Sequence, residues 1–527
     1  MLSHLTVAAA GLLSLVNAHP PPPPPPGPPG PPGYGPGNGN PSSGGVYSTQ
    51  WEQLQGSNYL PSVNWANANW PPQNVGVALV PQAPDQELIS LIEGIDVNRV
   101  KDIVTTLTNF GTRHTLSQQN SSTRGIGAAR DWIYKEMQSL AAPADGSMSV
   151  YFNSYIQPIA SRILFPVNIT NVVAQINGTT DPNRVYVVTG HYDSRRIDIN
   201  DYVNDAPGSD DDATGVAVVM EMARLVAASK VKPAATMIFA ATAGEEQGLY
   251  GSANLASTLK KAGYNVEGNW NNDIIGTGKN APFSAVNDYT VRLFGASIYY
   301  PNASSASLDS TIGIIGGWND SPAQNLGRYI AEVAAGAAQW VGMQVALIYR
   351  SDRYLRGGDH ESFLSQGFPA VRFTEAVEDF AHQHQDPREQ DGIQYGDLLE
   401  FVDFEYTSRV AKVNLASMWS AANSPGTPTN VSISEIIGFP AAAEDTPIED
   451  ISNDSQFSWD TGKDSLVKSY EIVWRPSGAL QWTHSVDVGM TGNVTLSLNK
   501  DNVQVGVRAV GANGWKSPAV FPLPVNR

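Results

Sequence analysis

The chain has no cysteine among its 527 residues, so disulfides and thiolate ligands are both excluded, and any metal it holds must be bound through nitrogen and oxygen. Long hydrophobic runs are also missing: after the first twenty residues or so, nothing approaches the roughly eighteen consecutive apolar residues of a membrane-spanning helix. Basic charge is scarce. Lys and Arg number 32 against 50 Asp and Glu, for a formal net charge of -18, and a surface of that sign argues against partners such as nucleic acid or an anionic membrane. What is present is 41% hydrophobic residues, enough for well-filled cores, in a length that accommodates two or three domains.

The N-terminus has a composition of its own. Leu5 to Val16 is a short apolar run ending in Val16-Asn17-Ala18, with small residues where signal peptidase reads, although the preceding stretch offers only His4 as a basic group. Residues 1–18 are therefore expected to be a secretory signal and the protein to be secreted and extracellular. Sequons at Asn120, Asn168, Asn177, Asn302, Asn319, Asn430, Asn453 and Asn493 suit a glycoprotein on that route, although a chain rich in Asn, Ser and Thr carries several by chance. Residues 19–45 are nearly all Pro, Gly, Ser and Asn, with an unbroken proline run from Pro20 to Pro26, and form a linker or propeptide without a core. Residues 46–85, with Trp51, Trp65 and Trp70, are an unpatterned extension or a second part of a propeptide.

From residue 86 to 423 the pattern is that of an α/β domain. Helical spacing runs through ELISLIEGIDVNRVKDIVTTLTNF from about Asp85, through Gly127 to Leu140, through Asn325 to Val341, and from Leu398 to Ala422. Beyond Pro425 the texture becomes all-β: Val503, Val505 and Val507 alternate, SYEIVWR is a strand-like run, and Asn513-Gly514 is a turn. Residues 425–527 resemble a fibronectin type III β-sandwich, whose role is open between carbohydrate contact and simple packing.

The stretch from Arg184 to Ser252 organises the rest. Val185–Val188 and Met237–Ala241 are short β-branched or aromatic runs, and between them Thr214–Ala228 is apolar except for Glu221 and Arg224, three residues apart on one helix face. Strand, helix and strand make a βαβ unit, and its polar residues gather where the strands end: His191 and Asp193 after the first, Asp210, Asp211 and Asp212 before the helix, Glu245 and Glu246 after the second. In open α/β sheets that edge binds ligands. A lone histidine at a strand end is most often just hydrogen-bonded, but Asp193 lies two residues on, on the same face of an extended backbone, where a carboxylate can fix the metal-binding tautomer. Three aspartates exceed what capping a helix requires. The adjacent glutamates, normally a surface pair, directly follow a buried strand between Gly244 and Gly248.

Taken in order, GHYDS, GSDDDATG, AGEEQGLYGS, NNDIIG, GGDHESF with GFPAVRFTE, and HQHQD resemble metallopeptidase family twenty-eight, the co-catalytic dizinc aminopeptidases, which also include glutamate carboxypeptidases and glutaminyl cyclases. The resemblance covers about residues 86 to 423. It implies the zinc-dependent exopeptidase fold, a mixed central β-sheet flanked by helices, with the small C-terminal sandwich appended. It further implies two zinc ions per chain, one held by His191 and Asp273, the other by Glu246 and His382, with Asp211 bridging. Glu245 would be the general base, Asp193 and Asp386 carboxylates supporting the ligands, and the peptide bond between Asp211 and Asp212 cis. His384 competes with His382; His382 is preferred because the family pattern places an aspartate four residues after the ligand, matching Asp386. The family's oxyanion-contacting tyrosine has no firm counterpart, and Tyr354 stands in for it.

The chemistry is coherent. Two zinc ions about 3.5–4 Å apart acidify a shared water and stabilise a developing oxyanion, a free carboxylate moves the proton, and one ion can receive the α-amine at a peptide or protein N-terminus. The expected activity is therefore a zinc metallo-aminopeptidase. A carboxypeptidase or a glutaminyl cyclase on the same fold is the alternative within enzymes, and cyclases work with one zinc. A catalytically silent binding ectodomain is the alternative outside them, against which the complete ligand set argues.

Overall fold

The computed structural model describes residues 75–278, 288–297, 313, 315–434, 454–462 and 464–525. The expected signal, the proline-rich segment, Trp51, Trp65, Trp70 and the sequon residues Asn302 and Asn453 lie outside them. Strand β1 (Val77–Ala78) precedes helices α1 (Gln86–Glu93), α2 (Val97–Thr108) and α3 (Ile126–Ala141). The helical run expected from about Asp85 divides after Glu93, because Asp96 starts a new helix by accepting a hydrogen bond from the Asn98 amide at 2.9 Å.

Next come β2 (Met148–Gln157), β3 (Val167–Ile176), β4 (Asp181–His191), α4 (Ala213–Ala228), β5 (Ala235–Thr242), α5 (Tyr250–Lys261), β6 (Asn265–Asn272) and β7 (Thr290–Gly295). They are followed by α6 (Pro322–Gly336), α7 (Ala338–Val341), β8 (Gln344–Ile348), α8 (His360–Leu364), β9 (Ala370–Glu375), the hairpin β10 (Arg388–Gln390) and β11 (Ile393–Tyr395), and α9 (Phe404–Asn423). Eight strands form one mixed sheet in the order β2-β3-β5-β4-β6-β9-β7-β8. Its centre, β5-β4-β6-β9, is parallel, so four carboxyl ends open on one edge. Helix α4 packs on β4 with its polar exceptions satisfied: Arg224 pairs with Glu221 at 2.6 Å, and Glu221 also accepts from the Asp96 amide at 2.9 Å.

The approach of α4 to the end of β4 depends on glycine. A Cβ on Gly190 would lie 2.4 Å from the Gly215 carbonyl carbon, a distance no side chain tolerates, so this pair lets the helix start sit directly against His191.

The C-terminal strands are β12 (Thr429–Ser434), β13 (Ser455–Asp460), β14 (Val467–Pro476), β15 (His484–Gly489), β16 (Asn493–Leu496), β17 (Val503–Gly511) and β18 (Leu523–Pro524). They form two sheets, β1-β15-β14-β17 and β16-β13-β12-β18, around Phe457, Tyr470, Ile472, Trp474, Val505 and Val507. The first sheet takes in β1, which comes from before the α/β domain, within the segment expected to be an extension or propeptide. Val77 lies opposite Ser485, Ala78 opposite His484, and Trp474 Nε1 donates to the Val75 carbonyl at 2.9 Å. An edge strand that would otherwise present open backbone groups is thereby paired, and residues 75–84 pack against the sandwich strands.

The seam between sandwich and α/β domain is charged and buried. Arg475 holds Asp320 through both carboxylate oxygens at 2.9 and 2.8 Å, Arg328 meets the same Asp320 at 3.1 Å, and Arg508 meets Glu332 at 2.7 Å and also Glu471.

Candidate active site

The site sits on the carboxyl edge of the four parallel strands. His191, the last residue of β4, donates its backbone N–H to Asp212 Oδ2 at 2.9 Å, while Asp212 Oδ1 caps α4 by accepting from the Gly215 amide at 2.9 Å. One carboxylate thus ties the strand end to the helix start. The His191 ring turns Nδ1 toward Asp193, 3.1 Å from its carbonyl and 3.5 Å from Oδ1, which leaves Nε2 facing Asp211 Oδ1 at 3.0 Å and Asp273 Oδ2 at 3.8 Å. Asp193 also accepts from the amides of Glu245 and Glu246 at 3.2 and 3.1 Å and from the Thr115 hydroxyl at 3.0 Å. It therefore locks the two glutamates to the histidine strand. The peptide bond between Asp211 and Asp212 is cis.

Asp211 spans two groups of ligand atoms. Its Oδ1 faces His191, and its Oδ2 lies 2.7 Å from Nε2 of His384, which is itself 3.3 Å from Glu246 Oε1. His191, Glu245 and Asp273 form one group of mutually close ligand atoms and Asp211, Glu246 and His384 the other.

Two expectations about the last motif are corrected here. His382 is not in either group: its Nδ1 lies 2.9 Å from Asp379 Oδ2, its Nε2 lies 2.9 Å from the Gln394 carbonyl, and its ring stacks on Phe401 at 3.5 Å. Both ring nitrogens are occupied. His384, at φ 55°, is carried into the cluster instead. Asp386 pairs with Arg196 Nε at 3.1 Å and the Ile197 amide at 3.3 Å, so it anchors this loop to the one after β4 rather than orienting a histidine. Tyr354 is 74% exposed, with the Arg350 guanidinium over its ring, and does not line the cleft; its neighbours Arg353 and Leu355 do.

Several residues that no motif singled out complete the frame. Asp397 accepts from the Asp210 and Asp211 amides at 2.7 and 2.8 Å, Arg372 donates to Asp273 Oδ1 at 2.8 Å, and Asp359 accepts from the Thr242 hydroxyl at 2.6 Å. Asp359 lies inside GGDHESF and could have been marked on that ground. Arg372 likewise lies inside GFPAVRFTE, whereas Asp397 left no local signal.

The donor set fits divalent metal. Among the described residues, buried His191 Nε2 and Glu246 Oε1 have close contacts to Asp211 and His384 but no well-formed hydrogen bond, a condition that native structures rarely tolerate without a ligand. Electrostatics point the same way. Burial opposes charge on His384, yet Glu246 and Asp211 outweigh it and push the imidazole up to about 10; burial likewise opposes charge on His191, and Asp193, Asp211 and Asp273 outweigh it. The carboxylates demand positive charge between them. Imidazole and carboxylate ligands with no thiolate suit zinc.

Residues 171–403, which include every member of the two groups, match the model of peptidase family M28. A probable zinc metalloprotease of Pyrenophora teres f. teres is 52% identical over 464 residues, spanning 87% of this chain and 91% of its own. This chain belongs to peptidase family M28. Another relative of the M28 chain, a probable zinc metalloprotease of Pyricularia oryzae, is 53% identical over 468 residues, 87% of this chain and 89% of that one. Alignments of this length necessarily pass residue 403 and enter the C-terminal strands. Among solved structures, the LapA aminopeptidase of Legionella pneumophila is similar at a TM-score of 0.46 and 17% identity, covering 66% of the M28 chain and 78% of its own.

Proposed function

We propose that this M28 peptidase is a secreted zinc aminopeptidase that works with two zinc ions per chain. The observation that carries this reading is Asp211, whose two oxygens lie 3.0 and 2.7 Å from the Nε2 atoms of two different histidines. In this reading His191 and Asp273 would hold one ion and Glu246 and His384 the other, with Asp211 available to both. Bound zinc supplies Lewis acidity, lowering the pKa of water and polarising a carbonyl.

The chain's own residues do the rest. Glu245 takes the proton of the attacking water and returns it to the leaving amine. Burial, Asp273 and Glu246 push its carboxyl well above the ordinary range against the opposing pull of His191. Asp193 holds the His191 ring and the backbone of both glutamates in one register, and Arg372 steadies Asp273.

The cleft over these groups measures about 360 Å³, near the small end of ligand pockets, which suits the end of a peptide better than an extended chain. Secretion rests on the N-terminal run and on the sequons, of which Asn120, Asn177, Asn319, Asn430 and Asn493 are exposed. The test is a panel of aminoacyl-nitroanilides with and without chelator, read beside zinc per chain by elemental analysis. Turnover of free-amine substrates that is lost to chelator and restored by zinc is expected. Cleavage confined to N-blocked peptides would overturn the aminopeptidase reading, and full activity at one zinc per chain would overturn the co-catalytic one.

A further inference from the structure

The chain is poor in basic residues, with 32 Lys and Arg against 50 Asp and Glu, yet four arginines, Arg162, Arg195, Arg353 and Arg356, line the cleft above the cluster. They come from three separate loops, those between β2 and β3, after β4, and between β8 and α8. On one wall, Arg353, Arg356 and Arg292 share the carboxylate of Glu378 at 2.8, 2.8 and 3.0 Å. That wall is structural.

Arg162 and Arg195 differ. Arg162 Nη1 donates to the Glu246 carbonyl at 3.1 Å, which pins its guanidinium beside the metal-ligand cluster, and Arg195 donates only to the carbonyls of Arg196 and Ile197 at 3.0 and 3.4 Å. Among the described residues neither has a carboxylate partner, and each keeps most of its five N–H donors free. Asp211, Glu245, Glu246 and Asp273 line the same cleft but form no ion pair with either arginine, and guanidinium groups held by backbone carbonyls without a paired carboxylate are matched to a planar anion from outside. Leu249 and Leu355 also line the cleft, Leu355 with 89% of its surface exposed, which suits an anion carried on an aliphatic stem.

We propose that Arg162 and Arg195 form a subsite for a substrate carboxylate next to the scissile bond. The inference rests on the peptidase reading of the neighbouring cluster. Its carboxylate belongs either to an acidic side chain or to the α-carboxylate of a short peptide, and the measurements separate the two. On the zinc-loaded full chain, kcat/KM for Asp- and Glu-nitroanilide against Leu-nitroanilide reads the side-chain source, and Leu-Leu against Leu-Leu-amide reads the α-carboxylate source.

One pair is expected to favour its carboxylate-bearing member, with the preference weakening at high salt. R162Q and R195Q should each cut that preference by about ten- to a hundredfold, the range for a hydrogen bond to a charged group. Calorimetric titration with glutamate against glutamine, and leucine against leucinamide, reads the same subsite without turnover, so failure of the peptidase reading is distinguishable from failure of this one. Equal treatment of both members of every pair, or ratios that neither substitution moves, would overturn it.

Discussion

The carboxyl edge of the sheet and the seam under the sandwich are both built from buried charge, and they are balanced in opposite ways. At the seam, charges of opposite sign meet: Arg475 and Arg328 on Asp320, Arg508 on Glu332 and Glu471. Single atoms such as Glu332 Oε1 stay unpartnered, but no charge there is left without its opposite. At the edge, Asp211, Glu245, Glu246 and Asp273 crowd two histidines, and the atoms left over, His191 Nε2 and Glu246 Oε1, point into the cluster. Balanced buried charge fixes a fold, whereas charge that the chain leaves unbalanced calls for a partner from outside.

The largest effect in this comparison is expected at Glu245. Glu245→Gln keeps the shape but cannot take a proton, so turnover should fall by roughly two to four orders of magnitude while zinc content stays normal; kcat should fall far more than KM. Glu246→Gln should instead lose affinity for one metal and recover partly at high zinc. Steady-state kinetics beside metal analysis separates these outcomes, and zinc loss from Glu245→Gln with retention in Glu246→Gln would reverse the two roles.

The two histidines of the last motif sharpen it further. His384→Ala should lose zinc and activity together, because His384 Nε2 reaches both Asp211 and Glu246. His382→Ala should keep its metal and lose the packing on Phe401 and the bonds to Asp379 and Gln394. Zinc per chain in the two variants decides between them.

At the seam the expected effect is on stability rather than chemistry. Arg508→Ala leaves Glu332 and Glu471 buried and unpaired, which typically costs about 3–5 kcal/mol, so Tm should drop while activity per folded, zinc-loaded molecule holds. Truncation near Pro425 should act in the same direction, since it strips Arg328 and Asp320 of their cover and β1 of its sheet. Thermal melts of zinc-loaded protein measure both.

The smallest effect is expected on the cleft wall. Burial raises the Glu378 carboxyl, but Arg353 and Arg356 outweigh it and hold it below the ordinary range. A carboxylate depressed in this way adds stability above its unfolded pKa and loses it as pH falls through the folded one. Glu378→Gln should therefore flatten the acid limb of a Tm-against-pH curve and leave the neutral-to-alkaline limb parallel to that of the parent protein.

From its sequence alone this protein settled the positions that depend on neighbours along the chain. His191 and Asp193, Asp211 and Asp212, Glu245 and Glu246 follow or precede elements whose hydrophobic period is local, so their shared edge was legible without coordinates. The choice between His382 and His384 was not. It turns on the left-handed backbone at His384 and on a stack with Phe401, neither of which motif spacing encodes. Asp397 was silent because its partner is 187 residues away, and a hydrogen bond closed by packing leaves no period; Arg372 lay inside a quoted motif, but its tie to Asp273, 99 residues away, was not legible. The sandwich edge is a longer case still. Trp474 donates to Val75 across 399 residues, and only the folded chain, which must pair an open strand edge, brings those two ends together.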